Sequence, residues 1–167
     1  ASGVTGQSAN QILGIIMDQV AAVTASGENP PGEIATSIAD GDLTTKWLVF
    51  AATGWVQVEL TEPIAVRRYA VSSANDAPER DPVDWALEGS QDGVSWSAVD
   101  TRVDQDFPAR FQTIQFDFAN ETAYRFYRLD VTRNAGSGLL QIAELQLSDG
   151  DNTPPSAIIV IRIVAPG

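Results

Sequence analysis

The stretch Ala39-Asp40-Gly41-Asp42-Leu43-Thr44-Thr45-Lys46-Trp47 places two carboxylates, a glycine and two hydroxyls in one short segment. Calcium and similar hard cations take about six to eight oxygen ligands from carboxylates, hydroxyls and carbonyls. Asp40 can supply a carboxylate, Gly41 lets the backbone turn through positive φ, and Thr45 can supply a carbonyl and a hydroxyl. An Asp-Gly turn between two strands is the simpler interpretation and requires no metal. The segment lacks the spaced acidic residues of an EF-hand, so the rest of the chain must decide between the two interpretations.

Most of the chain after this stretch consists of short apolar runs separated by turns. These runs cover residues 55–60, 68–72, 85–89, 94–101, 112–118, 124–132 and 140–147. Several of them alternate apolar and polar residues, as strands with one buried face do. We expect three tryptophans of these segments to lie mainly in the core: Trp55, Trp85 and Trp96. Because no long helical pattern interrupts the runs, they predict an all-β fold, an antiparallel β-sandwich.

The two ends of the chain differ from this pattern. An N-terminal extension, residues 1–20, carries apolar residues at helical spacing after Ser8, which could cap a short helix: Ile12, Leu13, Ile16, Met17 and Val20. The sandwich is expected over residues 21–148, followed by a linker, residues 149–156. Residues 157–167 form an apolar, strand-like tail. Because an unpaired strand of this kind promotes aggregation, the tail is expected to pair with another segment or with a second copy of the chain.

Composition narrows the range of functions. The net charge is −12 at pH 7, so nucleic acid and anionic membranes are not expected partners. No apolar run approaches the roughly 20 residues that span a bilayer. The chain has neither histidine nor cysteine, which excludes Ser-His-Asp and Cys-His catalysis, imidazole metal sites and disulfides. A pair of carboxylates could still serve a glycosidase, but no catalytic motif is recognisable, and we predict that the chain is not an enzyme.

The order of the motifs resembles that of a known family. The stretch from Asp40 to Trp47 is followed by Gly54-Trp55-Val56-Gln57-Val58-Glu59-Leu60, and then by Asp84-Trp85-Ala86-Leu87-Glu88-Gly89-Ser90-Gln91-Asp92-Gly93-Val94-Ser95-Trp96. Tyr124-Arg125-Phe126-Tyr127-Arg128-Leu129 and Gln141-Ile142-Ala143-Glu144-Leu145-Gln146-Leu147 complete the series. Together they resemble the discoidin domain, also called the coagulation factor V/VIII type C domain. The greatest similarity is to the family 32 carbohydrate-binding modules of secreted bacterial glycoside hydrolases.

The resemblance implies a discoidin-like jelly roll, similar to galactose-binding domains, with a structural calcium ion (Ca2+). The ligands carried over from the family are the carbonyls of Ser37, Asp42 and Ala143, the carboxylates of Asp40 and Glu144, and the carbonyl and hydroxyl of Thr45. This set agrees with the oxygen-rich segment described above. It also accounts for Glu144, an acidic residue in a strand that otherwise has the composition of a core strand.

The resemblance also implies sugar binding by loops at one end of the sandwich, in an extracellular protein. The candidate carbohydrate-binding residues are Trp47, Phe50, Asn75, Glu79 and Arg80. Arg80 falls where family members often carry a sugar-binding arginine; the alternative is that it only pairs with a nearby aspartate of its own loop. The histidine and the last-loop aromatic residue of galactose-binding members are missing, so we expect a neutral glycan bound weakly. The alternative function is an interaction or assembly domain that self-associates through its apolar tails.

Overall fold

The computed structural model describes residues 14–151, which form an all-β fold with three short 3-10 helices. The strands are β1 (Val20–Ala25), β2 (Trp47–Val49), β3 (Gly54–Ile64), β4 (Arg68–Ser72), β5 (Pro82–Ser90), β6 (Ser97–Arg102), β7 (Thr113–Asp117), β8 (Tyr124–Asn134), β9 (Leu140–Ile142) and β10 (Glu144–Ser148). The 3-10 helices are η1 (Met17–Gln19), η2 (Ala35–Ala39) and η3 (Pro78–Arg80). The predicted antiparallel sandwich is confirmed.

Two antiparallel sheets enclose the core. One sheet has five strands in the order β1-β3-β8-β5-β6, and the other has three in the order β10-β4-β7. Strands β2 and β9 form a separate pair near one end, through contacts such as Trp47 opposite Ile142. Alternation buries Val56, Val58 and Leu60 on the inner face of β3, as the sequence predicts.

Aromatic residues join the two sheets through the core. The rings of Trp85 on β5 and Phe116 on β7 meet edge to face, with their centroids 5.3 Å apart. Trp85 Nε1 donates a hydrogen bond to the hydroxyl of Tyr69 at 2.9 Å, and that hydroxyl donates to Asp100 at 2.7 Å. Burial raises the pKa of Tyr69 well above its usual value, so the hydroxyl stays protonated and can continue to donate. The chain of hydrogen bonds therefore fixes how β4 and β5 pack.

Two of the tryptophans expected in the core lie elsewhere. Trp85 is buried, but Trp55 and Trp96 lie on the outer face of the five-stranded sheet. The guanidinium carbon of Arg128 is 5.5 Å from the ring centroid of Trp55 and 4.0 Å from that of Trp96. Strand parity explains the difference, because Val56 faces the core and its neighbour Trp55 must then face outward.

The structure describes only residues 14–20 of the segment in which a short N-terminal helix is predicted. Within these residues the helical part is η1, a single 3-10 turn, and Val20 begins β1, which pairs with β3. The backbone N–H of Ile16 donates to the carbonyl of Leu147 at 3.0 Å, and the Ile16 side chain is buried in the core. The sandwich therefore begins before residue 21. Residues 1–13 lie outside the described part of the chain.

The C-terminal boundary lies close to this N-terminal segment. The backbone N–H of Asp149 donates to the carbonyl of Gly14 at 3.2 Å, and Ile15 pairs with Ser148. Most of the predicted linker and the whole of the tail at 157–167 lie outside the described residues. Between residues 14 and 151, the structure contains no helix long and apolar enough to cross a membrane.

Candidate functional site

The segment 39–47 folds around its carboxylates and hydroxyls. Asp40 accepts hydrogen bonds from the backbone N–H of Asp42 at 2.8 Å and from the hydroxyl of Thr45 at 2.7 Å. The same hydroxyl is 2.9 Å from the carbonyl oxygen of Asp42. Gly41 has a φ of 77°, which favours glycine, and its N–H donates to Oε1 of Glu144 at 3.0 Å. The structure therefore brings together four of the predicted metal ligands: Asp40, Asp42, Thr45 and Glu144.

The pair formed by Asp40 and Glu144 has the chemistry expected of a cation site. Glu144 is only 2% exposed, and neither carboxylate forms an ion pair with a lysine or arginine of residues 14–151. Burial, together with the hydrogen bond and charge of Asp40, raises the pKa of Glu144 to about 8. Two neighbouring carboxylates without a counterion must share either a proton or a cation, so these residues fit a bound calcium ion.

The remaining predicted metal ligands adjoin this pair. Ser37 lies in η2 and is buried. Ala143 directly precedes Glu144, and its N–H donates to the carbonyl of Ser72 at 2.9 Å. Within the described range, no three acidic side chains cluster as a metal site would require if it used carboxylates alone. A calcium ion here would depend on Asp40, Glu144 and backbone or hydroxyl oxygens, which is the predicted ligand chemistry.

The sugar loop is predicted over residues 75–82, and in the structure Pro82 already begins β5, so the loop comprises residues 74–81. Three side chains from other segments support it. Arg110 forms a bidentate ion pair with Asp81 and donates to the carbonyl of Asp76 at 3.2 Å. Lys46 Nζ lies 2.7 Å from the Asp76 carboxylate, and Gln141 Nε2 donates to the Asp76 carbonyl at 2.7 Å. These contacts order the loop and use the carboxylates of Asp76 and Asp81, but leave the side chains of Asn75, Glu79 and Arg80 free. A binding loop ordered in this way loses little entropy when it takes up a ligand.

Arg80 differs from the other cationic residues of residues 14–151. Nine lysine and arginine residues lie in this range, and every one except Arg80 forms an ion pair. The Arg80 Nε is buried without a hydrogen-bond partner. The aspartates considered as its partners pair elsewhere: Asp76 with Lys46, Asp81 with Arg110 and Asp84 with Arg133. Arg80 is therefore half-buried and forms no hydrogen bond or ion pair with the described residues, so its guanidinium keeps unused hydrogen-bonding capacity.

The other predicted sugar-binding residues are distributed unevenly. Asn75 and Glu79 are exposed in the same loop as Arg80, and the Glu79 carbonyl accepts from the N–H of Ser137 at 3.1 Å. Trp47 is 0% exposed and donates from Nε1 to the carbonyl of Gly27 at 2.7 Å, so its ring cannot stack on a sugar. Phe50 follows β2 and is 69% exposed, so it remains available for stacking.

Sequence reasoning missed the three residues that support the loop. Arg110, Lys46 and Gln141 lie far from residues 74–81 in the sequence, and no motif connects them to it. The only signal was the excess of acidic residues in the loop, which predicts cationic partners but does not name them. The lack of a partner for Arg80 follows from this pairing, so it could not be predicted either.

Comparisons with known proteins agree with this architecture. The sequence profile of the family described as the F5/8 type C domain matches residues 22–145. A peptide-N(4)-(N-acetyl-beta-glucosaminyl)asparagine amidase of Arabidopsis thaliana is 37% identical over 134 residues, which cover 75% of this chain and 19% of the relative. The chain thus spans about a fifth of that relative's length.

Solved structures with the same fold include two modules from Clostridium perfringens. CpGH89CBM32-5, in complex with GalNAc-beta-1,3-galactose, has a TM-score of 0.67 at 18% identity and covers 79% of this chain and 96% of its own. The family 32 module of NanJ, in complex with galactose, has a TM-score of 0.67 at 17% identity, with coverage of 80% and 96%. A pectin-binding carbohydrate-binding module gives 0.62 at 24% identity, with coverage of 81% and 95%. Taken with the sandwich and the ordered motifs, the profile match shows that this chain belongs to the F5/8 type C domain family.

Proposed function

We propose that this domain is a non-catalytic carbohydrate-binding module that takes up neutral glycans through the loop containing Arg80. The observation that carries the proposal is the unpaired arginine on an otherwise fully paired cationic surface. Because Arg80 forms no hydrogen bond or ion pair with the described residues, its guanidinium donors are not committed to the fold and can serve a ligand. A guanidinium can donate two parallel hydrogen bonds to adjacent sugar hydroxyls.

The surroundings of Arg80 support a small polar ligand. Asn75 and Glu79 offer further hydrogen-bonding groups in the same loop. Phe50 lies outside this loop, in the connection after β2, and its exposed ring is the proposed stacking surface for the apolar face of a sugar. A shallow site with few hydrogen bonds is expected to give a Kd of about 10 μM to 1 mM, or roughly −4 to −7 kcal/mol. The net charge of −12 disfavours sialic and uronic acids and favours a neutral ligand.

Calcium has a structural part in this proposal. When bound, the ion would neutralise Asp40 and Glu144 and would link the segment after η2 to the first residue of β10. Arg80 lies outside the proposed ligand set. Loss of calcium should therefore lower the stability of the fold first, and glycan affinity only as the loops become less ordered.

The names of the related proteins are consistent with a role in glycan recognition. The solved neighbours are described with galactose-containing ligands or pectin, and the Arabidopsis relative is named for a sugar–asparagine linkage. By analogy with such proteins, we propose that the domain works in an extracellular protein that acts on glycans. The solved neighbours are carbohydrate-binding modules, which supports a binding role rather than a catalytic one.

A glycan array with and without calcium, followed by calorimetric titration, tests the proposal. Arg80→Ala should abolish binding. Arg80→Lys should weaken it, because lysine keeps the positive charge but lacks the planar guanidinium that donates two parallel hydrogen bonds. Arg67→Ala is the matched control: Arg67 adjoins the other end of β4 and is exposed. Binding that survives Arg80→Ala, or no binding to any glycan, would overturn the proposal. The second result would favour self-association through the apolar tails.

A further inference from the structure

A second candidate site lies on the outer face of the five-stranded sheet. It is a cleft of about 490 Å3, which lies within the range of roughly 300–1,000 Å3 that is usual for small-ligand sites. Its lining includes residues from the end of β1, the β2–β3 connection, the start of β3 and the end of β8: Ser26, Val49, Thr53, Trp55, Asp130 and Thr132. None of the residues proposed above for sugar or calcium binding lines the cleft. Phe50 lies between two lining residues, Val49 and Ala51.

The strand register places an aromatic ring beside a carboxylate. Trp55 on β3 pairs with Asp130 on β8, so both side chains point outward with Cβ atoms about 5 Å apart. The next residue in this row, on β5, is Ala86, whose small side chain leaves space beside Asp130. Arg128 lies over the Trp55 ring and is ion-paired with Glu88, which fixes the ring in position. The cleft is therefore built on ordered side chains.

Asp130 has no partner of its own among residues 14–151. Its carboxylate forms no hydrogen bond or ion pair with them, although Arg128 on the same strand is paired with Glu88. Burial and the charge of Glu88 raise the pKa of Asp130, which is the expected effect on a partly desolvated carboxylate without a bonded donor. Hydroxyls lie nearby: Ser26, whose Oγ accepts from the N–H of Trp55 at 3.0 Å, and the exposed Thr53.

We propose that this cleft is a second saccharide site, selective for uncharged pyranosides. The apolar face of a pyranose ring can stack on the exposed part of Trp55, while its hydroxyls donate to the free oxygens of Asp130. The hydroxyl of Thr53 can complete the hydrogen bonding at the rim, and that of Thr132, which donates to the Asp84 carbonyl at 3.3 Å, can accept from the sugar. A uronic acid would place its carboxylate near the unpaired Asp130, and this repulsion disfavours anionic sugars, whereas Glu88 is neutralised by Arg128. The site is independent of Arg80, so it does not require the function proposed for the loop 74–81.

NMR titration of the full chain tests this site directly. The probes are neutral tetrasaccharides of glucose, mannose, xylose and galactose, with a galacturonate tetrasaccharide as the charged comparison. They are added up to about 10 mM, which exceeds a Kd of about 1 mM roughly ten-fold. The reporter is the indole N–H of Trp55. It is followed in the wild type and in Arg80→Ala, so that responses of the cleft and of the Arg80 loop are separated.

The expected result is a Trp55 shift with at least one neutral probe that persists in Arg80→Ala. Asp130→Ala and Trp55→Ala should weaken this binding by about ten-fold or more. Glu59→Ala, on the same face of β3, is the matched control and should bind like the wild type. The proposal is overturned if no neutral probe shifts Trp55, if galacturonate binds equally well, or if Glu59→Ala loses binding as much as Asp130→Ala does.

Discussion

The backbone N–H of Gly41 donates to Oε1 of Glu144 at 3.0 Å, and this bond joins residues 103 positions apart. A calcium ion held by Asp40 and Glu144 would strengthen the same connection. At a calcium concentration about 100 times the Kd, binding to the folded state alone adds about 2.7 kcal/mol to the free energy of unfolding. We therefore predict that a strong chelator lowers the Tm by roughly 5–10 °C, measured by differential scanning calorimetry.

Two aspartates of the same segment give this calcium prediction a matched control. Asp40→Ala should make the Tm insensitive to chelator, because it removes a carboxylate ligand. Asp42→Ala should retain the response, because the proposed ligand is its carbonyl, while its side chain caps Thr44. The calcium site would be contradicted if chelator changed the Tm of the two variants equally, or if it left the Tm of the wild type unchanged.

Arg110 is predicted to be the main support of the loop 74–81. Arg110→Ala leaves the Asp81 carboxylate, whose side chain is 5% exposed, without its partner. Breaking such a pair costs about 3–5 kcal/mol when fully buried, and about 2 kcal/mol here because Arg110 is itself partly exposed. Glycan affinity should fall as well, since the loop is no longer ordered. Urea denaturation and calorimetric titration measure the two effects.

The cost of Arg110→Ala should depend on pH. Burial already raises the pKa of Asp81 in the wild type, and loss of Arg110 should raise it further. A carboxyl group whose pKa is higher in the folded state stabilises the fold below its unfolded pKa, and this contribution is lost as the pH rises through the folded pKa. The deficit of the variant relative to the wild type should therefore be smallest in acid and largest near neutral pH. A deficit that grows as the pH falls would contradict this assignment.

Arg80→Ala is predicted to leave the fold as stable as the wild type, or slightly more stable. The substitution removes a buried, unsatisfied Nε and breaks no ion pair of the described residues. The paired Arg128, which lies between Trp55 and Trp96, is the comparison: Arg128→Ala should lower the Tm. Thermal unfolding of the two variants side by side measures the difference. A clear loss of stability in Arg80→Ala would show that Arg80 has a structural rather than a binding role.

The segment before β1 is predicted to be part of the core. A chain that begins at residue 14 should fold like the full protein, whereas one that begins at residue 21 loses the buried Ile16 and its bond to Leu147. Ile16→Ala separates the side chain from the backbone contact and should cost about 2–4 kcal/mol. Chemical denaturation of the three proteins provides the measurement. Equal stability of the chains starting at 14 and 21 would restore a boundary near residue 21.

Much of the sheet structure could be predicted from alternation and turns. The strand Arg68–Ser72 has the predicted bounds, and the parity of Val56, Val58 and Leu60 correctly identifies the inner face of β3. The strand Val20–Ala25 was missed because its alanines carry little strand preference and the preceding apolar residues repeat at helical spacing. Its position is determined by pairing with β3, which is a tertiary interaction.

The candidate site was less predictable than the fold. The ligand set around Asp40 and Glu144 followed from the family resemblance, and the structure brings these two side chains together. Which aspartate pairs with which arginine depends on contacts between distant segments, so the isolation of Arg80 was not visible in the sequence. The outward position of Trp55 could have been predicted from the alternation of β3, because its neighbour Val56 faces the core. The hydrophobicity of tryptophan favoured a core position instead.

The contact between Gly14 and Asp149 determines how the domain is attached to the rest of its chain. Strand β10 runs from Glu144 opposite Ser72 to Ser148 opposite Arg68, and the loop 74–81 follows the Ser72 end. Gly14 and Asp151, the two ends of the described part of the chain, therefore lie side by side at the end remote from Arg80. Tethering the protein to a surface, a fluorophore or a fused partner through either terminus should leave its recognition loops pointing away from the attachment point.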